Sequence, residues 1–380
     1  MAFLVYFYGG ATEEDDSTAS RLRTLVKGEA AGRAIGVVAE QPPGRCAHRE
    51  LSERFGPELV SGLIQAGAIR QEGGALWLNC PVFLEEDLEP LRRLTGTAAE
   101  DIAQALWPRA GEMEQLLAGL ANGFPGKVNL YHLLCGCVFD GLYFDELEAA
   151  GLVSTGRDGA QGLSDLLILY ECGGALERWS RSLLCSYNRY GSRAGTFQSF
   201  GDSAGDRWDL YRAARQLEEG VLRDASLLPL PKEALVEEYI RLAGGGPVDR
   251  EAMACFARFG YAEAGRPCVP IYVWEEDRPV LDALFRLVRE VTAPLIRDVL
   301  DRLGGMDCLT ANRHRVPLRE TANEIYHLLF GQVNERLVAS GVVAPPEDHG
   351  AQGRYRKAFE IHQGTVPRPC ETSRRADRGG

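Results

Sequence analysis

Tyr131-His132-Leu133-Leu134-Cys135-Gly136-Cys137-Val138 returns as Tyr326-His327-Leu328-Leu329-Phe330-Gly331-Gln332-Val333, with six of eight positions identical. Leu-x-x-small-Gly-aliphatic-Val follows each copy, at Leu147 to Val153 and at Leu337 to Val343. Each copy then runs through a Gly-rich turn into an extended stretch, Leu163 to Glu171 and Arg354 to Ile361. A third segment shares only the second half of this pattern: Leu63 to Ile69 leads through Glu72-Gly73-Gly74 into Ala75 to Leu78. The expectation is an α+β fold, built from winged-helix-like helix-plus-hairpin units around a duplicated central helix. Glycine inside a helix is unfavourable without a packing reason, so Gly136 and Gly331 are expected to mark close contact between the two copies.

The chain has 380 residues, 45% apolar and 25% charged, which suits two or three domains with a sizeable core. Its net charge of −12 disfavours broad wrapping of nucleic acid and leaves room for a local basic face. Ten cysteines occur without a Cys-x-x-Cys pair, and they read as buried, reduced thiols of a cytoplasmic protein. No run approaches the roughly 18 apolar residues of a membrane helix, and no signal-peptide core precedes the first strand.

Five segments follow from the punctuation. Residues 1–44 read as strand, helix and strand, with strands at Phe3–Phe7 and Ala34–Ala39, and Pro42-Pro43-Gly44 closes them. Residues 45–110 form the winged-helix-like module, with a helical stripe of Leu59, Leu63 and Ile64 and a hairpin from Ile69 to Leu78. The helix that would enter a DNA groove carries Glu58, Ser61 and Gln65, with no Lys or Arg before Arg70. That is poor equipment for phosphate contacts, so a scaffold role is favoured. Residues 111–225 hold the first repeat copy and an arginine and aromatic segment. Residues 226–363 are helical and hold the second copy, and 364–380 form a disordered basic tail.

His132, Cys135, Cys137 and Asp140 suggest a metal centre until their angles are drawn. At about 100° per residue His132 and Cys135 lie about 60° apart, while Cys137 is about 140° round. One α-helix cannot aim all four at an ion, so no metal and no other cofactor is expected, and the thiols read as core packing.

Between Glu177 and Arg215 seven arginines against four acids leave a local balance of +3. Arg178, Arg181, Arg189 and Arg193, interleaved with Tyr187, Tyr190 and Trp208, could stack bases and pair phosphates, making a nucleotide or nucleic acid one partner. A protein partner or a second copy of the chain is the alternative. Within the segment, Gly201-Asp202-Ser203-Ala204-Gly205 fits Gly-x-Ser-x-Gly, between a strand-like Thr196–Phe200 and a helix-like Arg207–Leu217. It resembles the nucleophile elbow of the hormone-sensitive-lipase-like esterases, and Leu4 to Gly10 looks like their oxyanion strand, with Tyr8 where those enzymes carry His. The resemblance implies Ser203 as the nucleophile of a serine hydrolase. Asp206 departs from its small-residue pattern, and the two motifs stand about 190 residues apart, farther than that family places them.

The function expected from the sequence is therefore recognition or regulation, with a ligand, nucleic acid or protein as partner. The serine hydrolase and a purely structural assembly protein are the alternatives.

Overall fold

The computed structural model describes residues 2–8, 17–120, 122–156, 165–173, 179–202 and 207–362. It is an α+β fold with several small sheets, and among the described residues no helix is long and apolar enough to cross a membrane. By contact the chain forms two compact units, each drawn from three separated stretches. Unit 1 comprises Met1–Ala105, Gly141–Ser182 and Val291–Val333, and unit 2 comprises Leu106–Asp140, Leu183–Glu290 and Asn334–Gly380. Sequential segments were expected instead, because linkers show in a sequence and long-range contacts do not.

Unit 1 opens with β1 (Phe3–Tyr8), α1 (Ser17–Lys27) and α2 (Glu29–Glu40). A strand was expected at Ala34–Ala39, and the helix α2 overturns it. Ala31, Ala34, Ile35 and Val38 recur at helical spacing and all are buried, so one apolar stripe faces the core. Then come β2 (Cys46–Ala47), α3 (His48–Phe55), α4 (Pro57–Gln65), β3 (Ile69–Glu72) and β4 (Ala75–Leu78). β2 pairs with β4, giving a small sheet of order β2–β4–β3. The expected helix-plus-hairpin is thus present. The core beneath it joins Ile35, Val38, Leu63, Ile69, Leu76 and Leu78.

Leu25 of α1 packs on α4 so closely that a Cβ at Gly62 would stand 2.6 Å from its Cδ1. β5 (Val82–Phe83) and α5 (Leu88–Leu106) follow, and β6 (Leu166–Glu171) forms the centre of a second sheet. β1 runs antiparallel to β6 and β5 runs parallel to it, with Phe83 opposite Tyr170.

Unit 2 is centred on the sheet β11–β13–β8–β7, made of β7 (Leu184–Gly191), β8 (Gly195–Asp202), β11 (Ile271–Val273) and β13 (Arg354–Ile361), with the short β12 (Glu347–Asp348) paired antiparallel to β13. β8 is antiparallel to both of its neighbours, whereas β11 is parallel to β13, with Tyr272 opposite Glu360. Helices α6 (Lys232–Ala243) and α7 (Arg250–Arg258) precede a hairpin of β9 (Ala262–Glu263) and β10 (Arg266–Pro267). They pack on one face of the sheet through Tyr239, Phe256, Tyr261, Phe197 and Phe359. The long helix α8 (Trp274–Gly304) follows, and α9 (Leu318–Ala339), most of it in unit 1, carries the second repeat copy.

The first copy is wound differently from expectation. Tyr131–Leu142 is a π-helix, bonded i to i+5, so residues five apart share a face. Tyr131–Val138 belongs to unit 2 and Tyr326–Val333 to unit 1. The partner of Gly136 is accordingly Phe200 of β8, whose Cγ would stand 3.3 Å from an added Cβ, and not the second copy.

Candidate functional site

Three elements of unit 2 converge on His132. The π-helix supplies the imidazole, 1% exposed, and Tyr272 of β11 stacks on it at 5.4 Å with an interplanar angle of 10°. Gln198 of β8 lies 2.7 Å from its Nε2 through Oε1. The other end of the same amide donates to Glu360 Oε2 at 2.5 Å, so Oε1 must be an acceptor and His132 must carry its proton on Nε2. Nδ1 is then a bare lone pair, buried without a partner. Tyr187 of β7 approaches Nε2 at 3.4 Å and the thiol of Cys137 at 3.5 Å.

The angular argument against bringing His132 and Cys137 together fails at this point. It assumed α-helical winding, and the π-helix turns the two, five residues apart, toward one tyrosine. Among the described residues, no three His, Cys, Asp or Glu side chains gather to hold a metal ion.

Glu360 and Gln198 line a narrow cleft of about 20 Å³, bordered also by Leu133, Cys137, Tyr272, Trp274, Asp277, Arg278 and Leu281. The cleft lies at the carboxyl ends of the parallel pair β11 and β13, beside the first turn of α8. Open sheets that contain parallel strands commonly place ligands there. Asp277 caps that turn, accepting the Val273 amide at 2.8 Å. Arg278 lies over the Trp274 ring at 4.6 Å and pairs with Asp282 at 2.6 Å.

Burial sets the protonation of this cluster. It pushes His132 down to about 4, against the pull of the Gln198 bond. It raises the Glu360 carboxyl, against the pull of His362 and Arg189, and it pushes the Cys137 thiol up to about 12. A histidine depressed from 6.5 to about 4 contributes stability above pH 6.5, and loses it as pH falls toward 4. The loss amounts to roughly 3 kcal/mol when complete. Glu360 has the opposite sign, since its raised carboxyl costs stability at neutral pH and regains it in acid. The difference between two proteins therefore isolates the imidazole. Urea midpoints between pH 7 and pH 4.5 should fall more steeply in the wild type than in His132→Gln; parallel curves would mean that His132 titrates as freely folded as unfolded.

The residues expected to bind a polyanion are dispersed. Arg178 and Ser203 lie outside the described residues. Arg181 belongs to unit 1, whereas the other five lie in unit 2. On β7, Tyr187 faces His132 with the Arg189 guanidinium 4.2 Å over its ring, while Tyr190 points to the opposite face and packs on the α6 and α7 core. Trp208 stacks on Phe259 at 5.6 Å in that same core, and Arg193 is exposed in the β7–β8 turn. One basic and aromatic stripe does not form, because alternation along a strand sends neighbours to opposite faces.

The strand leading to Ser203 is β8, which lacks the parallel neighbours of an esterase elbow, and the oxyanion-like strand β1 belongs to the other unit. Glu360 and Tyr272 carried no sequence signal of a site. Each sat within an apolar strand pattern, and only the pairing of β11 with β13 brings them together.

Unit 1 holds a buried polar cluster of its own. Glu324 of α9, 4% exposed, accepts the Tyr8 hydroxyl at 2.9 Å on Oε2 and the Tyr170 hydroxyl on Oε1. His327 lies beside Tyr8, 5.3 Å between rings, and its Nδ1 is bonded to the Asn323 carbonyl oxygen at 2.8 Å. Both carboxylate oxygens of Glu324 are thereby satisfied. No protein family, curated protein or solved structure matches the chain.

Proposed function

We propose that this chain is a cytoplasmic recognition protein that takes a small ligand in the unit 2 cleft and performs no chemistry on it. The observation that carries the reading is Glu360, 9% exposed, bonded to Gln198 and lining a cleft walled by aromatic side chains. A concave site with a few convergent polar groups of perturbed pKa is the usual form of a small-molecule site, and π-helical turns recur at functional positions.

The helix-plus-hairpin units serve this reading as winged-helix-like scaffold. α4 exposes Glu58, Ser61 and Gln65, and Arg70 is tied to Glu72 at 2.7 Å and to the His314 carbonyl oxygen at 2.8 Å. Such a surface attracts no phosphate backbone. α7 exposes Arg250 and Arg258 beside Glu251.

We also read the chain as a tandem duplication that reaches beyond the repeated helix. α3, α4, β3 and β4 are followed by β5, which lies parallel to β6. α6, α7, β9 and β10 are followed by β11, which lies parallel to β13. On this reading Phe83, opposite Tyr170, corresponds to Tyr272, opposite Glu360.

A melting screen against small metabolites tests the ligand reading, because any ligand that binds only the folded state raises the midpoint with concentration. At least one chemical class should do so. The shift should disappear in Leu133→Phe, a cleft-filling variant first shown to melt cooperatively. A shift that persists unchanged in the filled variant would place the ligand elsewhere, and no shift from any class would remove the proposal.

A further inference from the structure

Each copy of the repeated helix lies in the unit whose sheet comes from the other half of the chain. Unit 1 takes β1, β5 and β6 from the first half, which ends after β6, and its helix copy, Tyr326–Val333, from the second. Unit 2 takes β7, β8, β11 and β13 from the second half, and its copy, Tyr131–Val138, from the first. The side chains follow the same division. In unit 2 His132 meets Gln198 and Tyr272, Asn129 accepts the Tyr272 hydroxyl at 3.0 Å, and Gly136 packs on Phe200. In unit 1 Glu324 accepts the hydroxyls of Tyr8 and Tyr170, and Asn323 donates to the Ser154 carbonyl oxygen at 2.7 Å.

The two arrangements correspond residue by residue. Matching Tyr170 with Glu360 also matches β1 with β8, since each is the antiparallel neighbour, and the registers then set Tyr8 against Phe200. Each of these rings is met by the helix copy of its own unit. Tyr8 meets Glu324 and His327, and Phe200 meets Tyr131 and Gly136. Asn129 and Glu324 both stand three residues before the repeated histidine, and both accept a tyrosine hydroxyl. A duplicated chain whose halves folded separately would keep each helix on its own strands. Equivalent helices on each other's strands are the pattern of domain swapping.

We propose that the chain is a segment-exchanged pseudo-dimer, in which the repeated helix of each half has the strands of the other half as its partner. Neither half then completes a unit alone. The inference rests on the reading of the chain as a tandem duplication. Leu130, Leu134 and Val138 are buried in unit 2, and Ile325, Leu329 and Val333 in unit 1. Withdrawing either helix would expose these side chains and the sheet face that they cover, which costs the hydrophobic stabilisation of both. The buried cluster around His132 is composite in consequence, with its imidazole from one half and its amide and carboxylate from the other.

Cutting the folded protein tests the exchange. Full-length protein carrying a protease-cleavage sequence at residues 174–178 is cut after purification, with the uncut form as control. The fragments should co-elute in gel filtration at the volume of the uncut chain. The melting midpoint of the cut protein should rise with protein concentration, because folding then requires association. Fragments that elute apart, or that co-elute and melt at a midpoint independent of concentration, are self-contained; either result overturns the exchange and leaves the duplication standing. Amide hydrogen exchange in the uncut chain then shows which strands each helix supports. His132→Ala should speed exchange in β8 and β11 at least about tenfold and leave β1 and β6 unchanged, and Glu324→Ala should do the reverse. Loosening of β1 and β6 by His132→Ala, or of all four strands equally by both variants, rules out the assignment of each helix to the other half's sheet. Should either variant fail to fold, the cut protein decides alone.

Discussion

Gly201→Val is expected to destabilise unit 2 by on the order of 3 kcal/mol or more, beyond the ordinary range for overpacked cores. A Cβ at this position would overlap the Arg354 carbonyl oxygen and stand 2.5 Å from the Tyr355 Cα. Both atoms are backbone of β13, which at this point pairs on its other edge with Glu347 and Asp348, so neither rotates away. Relief requires the β8–β13 ladder to part where Gly201 opposes Tyr355. Urea unfolding followed by circular dichroism measures the loss, and a midpoint within error of wild type would mean that this register is wrong. By contrast, the atom nearest an added Cβ at Gly136 is ring carbon of Phe200, at 3.3 Å, which has room to yield. The first glycine of Gly-x-Ser-x-Gly is therefore explained by strand packing, without a nucleophile.

Asp209→Ala should cost about 3–5 kcal/mol, because it breaks a buried ion pair from one side. Asp209 and Arg207 are 1% and 0% exposed at their side chains, 3.4 Å apart. The same carboxylate accepts Ser199 Oγ at 2.6 Å and Asn188 Nδ2 at 2.8 Å. Its other oxygen caps the helix Leu210–Glu218 through the Arg212 amide at 2.8 Å. Alanine removes the cap and leaves the Arg207 guanidinium buried with the Tyr355 ring, 4.8 Å away, and the Ser186 carbonyl as its main contacts. Asp209→Asn retains much of the hydrogen bonding and should recover part of the loss. If Ala and Asn variants melt together near wild type, the pair carries no stability.

Much of the fold was legible because it is local. Period-two and helical apolar patterns marked β1, β6, β13 and α4 within a few residues of their bounds. α2 was misread because Ala34–Ala39 is apolar enough for either structure, and the stripe through Ala31 decides it only once a core is known. The hairpin β9–β10 has two residues in each strand, too few to show alternation. The candidate site was least legible of all, since a π-helix has no sequence signature and angles drawn for an α-helix pointed His132 and Cys137 apart. Tyr187 was singled out for its neighbouring arginines, and it lies at the site beside an imidazole instead.

The discontinuity of unit 1 has a consequence for how the protein is made. Its first two stretches, Met1–Ala105 and Gly141–Ser182, leave the ribosome well before Val291–Val333 exists. At 5–20 residues per second the wait is roughly eight to thirty seconds. Throughout it Tyr8 and Tyr170 lack Glu324, and a largely apolar strand pair, β1 with β6, has no helix from α9 beside it. Nascent chains in that condition are substrates for holding chaperones, and slowing translation between codons 182 and 333 would lengthen their exposure. Synthesis rate, rather than final stability, then governs how much of the product escapes aggregation.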